Sequence, residues 1–427
     1  MHCKRFILLL IIMLLILPLA RGQDISLTLP EAIYIALREN PQVLLKENEL
    51  EKAKKKIAEA KSALLPSLNL SFSISETQGY YSKDTQQQNA SLGLKQTLYS
   101  GGKIINTIRL NEDNFEITQA ILDKTKIELI FNTAKAFYSL LLAEELAQLN
   151  NEILKNTTSH LEAINVRYQN GQASSLEVEN IKKNQKKAEE NYENSLNQIQ
   201  ELKSLIKNLL HLNEEVNISA SGEFTYAPEE IAFDEAFVTA LGKRPEIKQY
   251  EAEISRAKKS AEIVRAGNRP TVYASWDYYS RSHSTSIIGP SKNPNDYNVV
   301  GLSLSWPIFD GWQTKLRLDE AMLDIKQAQI AKDMVKRDIG LELKNAYLAL
   351  KDALSKIKTA EAETSFYANN YQTVKEKYSQ GIASNLDLSD AQIQNQTASF
   401  NKKKAIYEYI VAKLAFEKAT GGLYENS

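Results

Sequence analysis

Three carboxylates, Glu177, Asp387 and Asp390, follow two similar turn motifs and are the first candidates for chemistry in this chain. Glu177 and Asp387 each lie three residues after a serine, Ser174 and Ser384, which is the spacing of a helix capping box. An acidic residue in the first turn of a helix also gains from the helix dipole. Asp390 lies one turn beyond Asp387 on the same helix face, and capping does not explain it.

The two turn motifs are Tyr168-Gln169-Asn170-Gly171-Gln172 and Tyr378-Ser379-Gln380-Gly381-Ile382. Each lies between two long segments with helical patterning. Glycine is the residue that most readily adopts the left-handed conformation that ends many helices. The motifs therefore predict two helix ends, each followed by the start of a returning helix.

No constellation of residues typical of an enzyme is present. His160, His211 and His283 are far apart and lack the spacing of metal ligands, so we interpret them as surface or helix-end residues. Ser100-Gly101-Gly102 is too short for a phosphate-binding loop. The 52 basic and 53 acidic residues are nearly balanced, which argues against nucleic-acid binding. We therefore predict no catalytic, metal or cofactor site.

The first 22 residues are typical of a secretory signal peptide. Lys4 and Arg5 are followed by an apolar run from Phe6 to Leu17, and small residues precede the expected cleavage before Gln23. The only cysteine, Cys3, would leave with this segment. We expect a secreted protein without disulfides and without a cysteine that could carry a lipid anchor.

The remaining chain is a tandem duplication. An offset of 204 residues aligns the segment around Pro41 with that around Pro245, and an offset of 210 aligns Gly171 with Gly381. The predicted repeats are residues 23–228 and 229–427. Both repeats must therefore have one architecture, and they are too long to be solenoid or propeller repeats.

The sequence patterns of the two repeats predict the same order of secondary-structure elements. A capping box at Thr28 begins a helical pattern that continues to about Leu64, and Asp234 begins its counterpart. The elements that follow are a pair of strands, a very long helix and a return helix. Their predicted ranges are 66–98, 102–166 and 175–210 in the first repeat, and 270–307, 311–377 and 385–419 in the second.

The strands alternate between apolar and polar residues, as in Leu68, Leu70, Phe72 and Ile74, so each has one apolar face. A half-exposed soluble sheet is one interpretation. Strands of about ten residues in a secreted chain also suit a tilted outer-membrane span, with aromatic residues forming an interfacial girdle. The candidate girdle residues are Tyr80, Tyr81, Trp276, Tyr278, Tyr279, Tyr297 and Trp306. Four strands cannot close a barrel, so a membrane sheet requires several chains.

The chain closely resembles the TolC family of bacterial outer-membrane efflux channels over its mature length. The resemblance rests on ordered, repeated motifs, each weak alone. They are the Leu29…Ala32…Ala36-Leu37…Asn40-Pro41 opening, the Leu98-Tyr99-Ser100-Gly101-Gly102 and Trp306-Pro307-Ile308-Phe309-Asp310-Gly311 elbows, the Tyr-x-x-Gly turns and the Ala419-Thr420-Gly421-Gly422 ending.

The resemblance implies a mainly helical fold with a β-barrel part. A homotrimer would share a twelve-stranded barrel in outer-membrane lipid, and a long helical barrel would extend into the periplasm. The chain would be a passive exit duct, docked by a periplasmic adaptor (membrane fusion) protein and powered by an inner-membrane transporter of RND, ABC or MFS type. A dedicated type I protein-secretion duct and a periplasmic coiled-coil scaffold without a pore are the alternatives.

The resemblance also implies roles for the two turns and their carboxylates. The turns match the family's periplasmic tips, so the expected adaptor-docking residues are Tyr168, Gly171, Gln172, Gly381 and Ile382. Asp387 and Asp390 match the position of an acidic ring at the closed periplasmic entrance of some members. Ala383 replaces an arginine that one member uses in its entrance lock, which puts an ionic latch in doubt. A hydrogen bond between Tyr378 and Glu177 is a possible substitute.

Overall fold

The computed structural model describes residues 24–77, 85–228, 232–284 and 295–422. The predicted signal peptide, together with Tyr80 and Tyr81, lies outside these residues. The chain divides into two compact units, which we call the helical unit and the sheet unit. Of the described residues, those in 24–44, 125–243 and 340–422 belong to the helical unit, and those in 45–124 and 244–339 belong to the sheet unit, so each unit draws on both repeats.

Long helices dominate the helical unit. Its elements, two of which begin in the sheet unit, are β1 (Asp24–Leu27), α1 (Leu29–Glu39), α3 (Lys103–Gln169), α4 (Ser175–Leu210), β4 (Asn217–Ala220), α5 (Phe233–Lys243), α7 (Gln313–Ser379) and α8 (Asn385–Thr420). Strands β1 and β4 form a parallel pair. Among the described residues, no helix combines the length and apolarity needed to cross a membrane.

Buried positions in these helices recur every seven residues. In α8 the buried alanines are Ala391, Ala398, Ala405, Ala412 and Ala419. Helix α7 buries Leu343, Leu350 and Ile357 at the same interval. A seven-residue repeat keeps one seam of a helix against its neighbour in a left-handed supercoil, and alanine allows close approach. The sequence pattern therefore produces coiled-coil-like packing.

Side-chain contacts give the order of the helices in the unit as α4, α3, α8 and α7. Asn150 in α3 donates a hydrogen bond to the Asn191 carbonyl in α4 (3.2 Å). Glu145 in α3 also forms an ion pair with Lys403 in α8. On the other side of α8, Thr364 in α7 donates to an α8 backbone carbonyl at 3.2 Å. Helices α4 and α7 therefore flank this layer.

The prediction of one helix from Thr28 to about Leu64 is wrong, because the chain breaks at Asn40. Helix α1 ends at Glu39, and α2 extends over Pro41–Ser62. Pro41 disfavours helical backbone at the residue before it. The Asn40 side chain stabilises the break, since it accepts from the Gln42 N–H (2.9 Å) and donates to the Leu209 carbonyl (3.0 Å). The second repeat breaks likewise between α5 and α6 (Pro245–Arg265).

The sheet unit contains one antiparallel sheet. Its strands are β2 (Ser67–Thr77), β3 (Thr85–Ser100), β5 (Thr271–Ser284) and β6 (Asn295–Ser305), and they are ordered β2-β3-β5-β6. Each pair of neighbours is antiparallel. Strands β2 and β6 are the edges, because each has a single neighbour. One backbone side of both strands is therefore left for pairing outside the sheet.

The register places most apolar side chains of the four strands on one side. Leu68, Leu94, Trp276 and Val300 form one row across the sheet. We call this the apolar face; its members are Leu68, Leu70, Phe72, Ile74, Ala90, Leu92, Leu94, Val272, Ala274, Trp276, Tyr278, Val300, Leu302 and Leu304. The opposite, polar face consists of the odd-numbered residues of the four strands, including Val299, as far as the register shift between Thr97 and Tyr99. The alternation predicted from the sequence is thus matched between strands.

Two aromatic residues do not fit the predicted girdle. Tyr279 and Tyr297 are paired across β5 and β6 in a row with Ser71 and Ser91, so they belong to the polar face. The prediction treated all aromatic residues near the strands alike. A period of two assigns odd-numbered and even-numbered positions to opposite faces, which separates these tyrosines from Trp276.

Two sharp elbows connect the sheet to the long helices. Gly101 and Gly102 have φ values of +64° and +89° before α3. Gly311 and Trp312 occupy the matching positions before α7, with φ values of +64° and +69°. The second elbow therefore keeps the same backbone with a tryptophan in the left-handed region, where side chains are disfavoured.

We predict that the two elbow glycines differ in their tolerance of alanine. A Cβ on Gly101 would lie 2.6 Å from the Arg269 Cβ, whereas one on Gly311 meets no atom within 4 Å. Both substitutions carry left-handed strain of about 1–2 kcal/mol, but only Gly101→Ala adds an overpacking cost of about 1–3 kcal/mol. Thermal unfolding in mild detergent should show the larger loss for Gly101→Ala. Equal losses of thermal stability in the two variants would mean that the left-handed backbone strain, and not the contact with Arg269, causes the destabilisation.

Candidate functional site

The first turn joins α3 to α4 through residues 170–174. Gly171 has a φ of +71°, and its N–H donates to the Tyr168 carbonyl at 2.9 Å. The Gln172 N–H reaches back to the Arg167 carbonyl at 2.8 Å. This pair of hydrogen bonds is the Schellman motif, in which the residue after the helix is left-handed. Gly171 thus fixes the end of α3.

The second turn, between α7 and α8, repeats this geometry. Gly381 has a φ of +74°; its N–H donates to the Tyr378 carbonyl at 3.0 Å, and the Ile382 N–H donates to the Lys377 carbonyl at 2.8 Å. A Cβ added to Gly171 or Gly381 would meet no atom within 4 Å. Glycine is therefore favoured at both turns by backbone conformation and not by lack of space.

The turns display apolar side chains to their surroundings. Tyr168 and Tyr378 are 49% and 43% exposed, and Ile382 is 71% exposed. Leu176 and Leu386, in the first turns of α4 and α8, are also exposed. Exposed apolar side chains around a rigid turn are a suitable surface for a protein partner.

Both return helices begin with a complete capping box. The Glu177 carboxylate accepts from the Ser174 N–H (2.6 Å) and hydroxyl (2.9 Å). Asp387 accepts from the Ser384 N–H (2.9 Å) and hydroxyl (2.7 Å). The backbone and hydroxyl hydrogen bonds from Ser174 lower the pKa of Glu177, and the hydroxyl and backbone hydrogen bonds from Ser384 lower the pKa of Asp387. Capping thus keeps both residues ionised.

Asp390 has a different environment from Asp387. Its Oδ1 lies 3.6 Å from Nε2 of His160 in α3, and the neighbouring Ser389 contacts Asn156. The His160 side chain is only 14% exposed and lies nine residues before the end of α3. Our interpretation of His160 as a surface or helix-end residue is therefore wrong. The sequence missed this contact because it joins helices more than 200 residues apart.

The other two histidines lie in separate elements. His211 ends α4 with a φ of +55°, which confirms the interpretation of a helix-end residue. His283 lies in β5. Within the part of the chain that the structure describes, no group of three or more His, Cys, Asp or Glu side chains could hold a metal ion.

The chain contains both long helices and a four-stranded sheet, and known proteins share this combination of elements. Residues 32–210 and 237–422 match the family model of outer membrane efflux proteins, with one matched segment in each repeat. The chain belongs to this family. It is an outer-membrane efflux channel of the TolC type, which is a passive conduit and not an enzyme.

Two curated relatives carry the name outer membrane protein TolC. The protein from Escherichia coli strain K12 is 23% identical over 407 residues, which cover 90% of this chain and 80% of the relative. The protein from Salmonella enteritidis is 23% identical over 408 residues, with the same coverage of both chains. The predicted membership of the TolC family is confirmed, as is the location in the outer membrane.

Solved structures confirm the fold class. The outer-membrane channel CmeC of Campylobacter jejuni is 18% identical and has a TM-score of 0.77, with 96% of this chain and 93% of that chain covered. The open state of the Neisseria gonorrhoeae outer-membrane channel MtrE is 20% identical and also has a TM-score of 0.77, with 92% and 89% covered. The mainly helical TolC-like fold therefore extends over nearly the whole chain.

The roles expected for the turn and entrance residues remain predictions. In the described structure, Tyr168, Gly171 and Gln172 lie at one turn, and Gly381 and Ile382 lie at the other. The hydrogen-bond partner of Glu177 is Ser174 of its own cap, and not Tyr378. Asp387 is likewise engaged by its cap, so Asp390 is the entrance candidate whose carboxylate is not used for capping.

Proposed function

We propose that three copies of this chain form the exit duct of a tripartite efflux system. Each copy would contribute four strands to a shared twelve-stranded barrel in the outer membrane. A periplasmic adaptor would dock on the helical turns, and an inner-membrane transporter of RND, ABC or MFS type would power export. The duct itself would be a passive conduit.

The observation that carries this proposal is the apolar face of the sheet, bounded by two open edges. On the edge strands, Leu70 in β2 is 78% exposed and Val300 in β6 is 80% exposed. Such a continuous apolar surface is unusual for a protein surrounded by water. In hydrocarbon, by contrast, this face is favourable, but unpaired backbone groups at β2 and β6 are not tolerated. Pairing β2 of one copy with β6 of the next satisfies both conditions.

The number of strands limits the number of copies. The smallest membrane barrels have about eight strands, so one chain with four strands cannot close a barrel. The resemblance to TolC-type channels favours three copies and twelve strands. A head-to-tail contact between β2 and β6 is heterologous, and such contacts form a closed ring when their rotation closes.

Helix α7 supports contacts between copies. Eight of its apolar residues are between 49% and 66% exposed, and apart from Met322 they form one group of seven: Leu316, Leu323, Ile330, Met334, Leu341, Leu348 and Phe366. With 3.6 residues per turn, all seven project within an arc of about 40°. A narrow apolar seam of this kind is typical of a helix that packs against another helix. A second copy is the occupant that closure of the ring would bring there.

We predict that a charge is harmful on the apolar face and mild on the polar face. Leu70→Lys would place an ammonium group in lipid at a cost of about 2–4 kcal/mol near the midplane. The adjacent Asn69→Lys lies opposite Gly93, on the face directed away from lipid. In mild detergent, the Asn69→Lys variant should still migrate as a heat-modifiable trimer. The Leu70→Lys variant should show a much smaller trimer fraction. A stable water-soluble monomer of the unmodified protein would refute the shared barrel.

The turns support adaptor docking because their backbone is fixed and their apolar side chains are exposed. The Schellman bonds at Gly171 and Gly381 hold each tip in one conformation, which lowers the entropy cost of binding. Tyr168 and Ile382 then provide apolar contact area.

We predict that substitutions at Gly381 separate docking from helix ending. Gly381→Asn keeps a residue that tolerates the left-handed conformation, whereas Gly381→Val does not. Both add bulk where no atom lies within 4 Å. If an adaptor docks here, both variants should form outer-membrane trimers but lose drug efflux in cells. If only Gly381→Val loses efflux, the glycine is needed for its backbone conformation and not for docking. If both variants transport normally, the adaptor docks elsewhere.

Asp387 and Asp390 support a cation-selective entrance. They are exposed, lie one turn apart in α8 and would number six in a trimer. A ring of acidic side chains in a narrow pore attracts cations. Since hydrogen bonds lower the pKa of Asp387, its charge should persist as the pH falls to the ordinary range for aspartate.

We predict that the double variant Asp387→Asn with Asp390→Asn loses cation selectivity while remaining a trimer. Removal of one first-turn charge costs only about 0.3–1 kcal/mol, so assembly should persist. Reversal potentials and block by multivalent cations in planar bilayers measure the effect. Unchanged selectivity would mean that these carboxylates face away from the pore, and Glu177 and Tyr378 would then be tested.

A further inference from the structure

The polar face of the sheet is not uniformly polar. The β2 positions on this face are Ser67, Asn69, Ser71, Ser73 and Ser75, which are all small and neutral. The large and charged side chains are confined to the other three strands. They are Lys95, Tyr273, Asp277, Tyr279, Arg281 and Tyr297. These six side chains together form a distinct surface, which we call the tyrosine–arginine surface.

The centre of this surface is Arg281. Its guanidinium carbon lies 5.4 Å from the ring centroid of Tyr279 and 5.5 Å from that of Tyr297. The two rings stack with centroids 5.2 Å apart and planes inclined by 22°. Contacts of this length are cation–π interactions, which orient the guanidinium but leave its N–H donors available. Arg281 remains exposed.

A second cation is held in the same way. The Lys95 ammonium lies 4.1 Å from the ring centroid of Tyr273. Tyr273 and Arg281 are eight positions apart in β5, which corresponds to about 26 Å along the strand. Among the described residues, neither cation forms an ion pair within 4.0 Å of a carboxylate in the structure. Within the described strands, both cations are therefore held by aromatic rings and have no carboxylate partner.

The only acidic side chain on this face of the described strands β3 and β5 is Asp277. It lies over Gly93, where an added Cβ would be 2.6 Å from the Asp277 Oδ1. Asp277 thus occupies the space left by a missing side chain, between the levels of the two cations. With Lys95 and Arg281 against one Asp277, these strands present an excess of positive charge on the polar face.

We propose that the tyrosine–arginine surface is a transit site for aromatic anions, with Arg281 and the Tyr279–Tyr297 pair as its specificity-determining residues. The guanidinium would bind a sulfonate or carboxylate through charge-assisted hydrogen bonds. The tyrosine rings would stack on the aromatic body of the solute. The inference rests on the proposed function, because it requires this face to line the channel when the apolar face contacts lipid.

The charge of this surface is opposite to that of the proposed entrance. Acidic residues at the helical turns favour cations, whereas the sheet presents cations to the pore. A single anionic solute would therefore bind in the sheet region and not at the turns. Block by an anion added on the side away from the helical turns should consequently be stronger than block by the same anion added on the side of the turns.

The test uses the full-length channel in planar bilayers, with naphthalene-1-sulfonate as the probe. Methanesulfonate, which has the same charge but no ring, is the matched control solute. The variants are Arg281→Gln, Arg281→Lys and Tyr279→Leu. Ser73→Gln is the control variant, because Ser73 lies on the same face and in the same row as Arg281.

We expect naphthalene-1-sulfonate to block current in the unmodified channel and methanesulfonate to have little effect. Arg281→Gln and Tyr279→Leu should each weaken block by about fivefold to tenfold, as expected for the loss of one charge-assisted or cation–π contact. Arg281→Lys should retain part of the block because it keeps the charge, and Ser73→Gln should leave block unchanged.

The outcomes separate this inference from the proposed function. If the unmodified protein forms no channels, the shared barrel is wrong and the transit site falls with it. If channels form but Arg281→Gln and Tyr279→Leu leave block unchanged, the barrel stands and the transit site is refuted. Equal block by both sulfonates would also refute it, since the rings would then contribute nothing.

Discussion

The backbone of a strand in hydrocarbon must have all of its hydrogen-bonding groups paired, and the four-stranded sheet cannot meet this requirement alone. Its order leaves β2 and β6 with one neighbour each. Its register also gathers most apolar side chains of the four strands on one face. Exposure of the apolar face to water is unfavourable, and exposure of the unpaired backbone groups of β2 and β6 to lipid is unfavourable as well. In the proposed barrel, pairing between copies would remove both costs.

The helices obey a second constraint, which is close packing over a great length. Small buried residues at seven-residue intervals, such as Ala398 and Ala405, keep neighbouring helices near each other. Local chemistry then sets where the helices end. Left-handed glycines stop α3 and α7, and capping boxes start α4 and α8. Helix length is therefore controlled by a few residues, although helix packing depends on many.

Much of this architecture could be predicted from the sequence because it is local and periodic. The strand faces follow from alternation, and the turns at Gly171 and Gly381 follow from glycine chemistry and the capping serines. The break at Asn40 was missed, because helical patterning continues through Pro41 and the Asn40 side chain is satisfied by a distant carbonyl at Leu209. The contact of His160 with Asp390 was missed for the same reason. Composition alone also could not assign Tyr279 to the polar face.

The duplication gives the two turns one backbone but different chemistry. Both have the same pair of Schellman hydrogen bonds and the same capping arrangement. The first turn exposes Gln172, whereas the second exposes Ile382 at the matching position. In the proposed trimer, six tips of one shape would alternate between a polar and an apolar type. A partner that binds both must therefore match a common backbone and accommodate two different side chains, which favours recognition through the shared geometry of the turn.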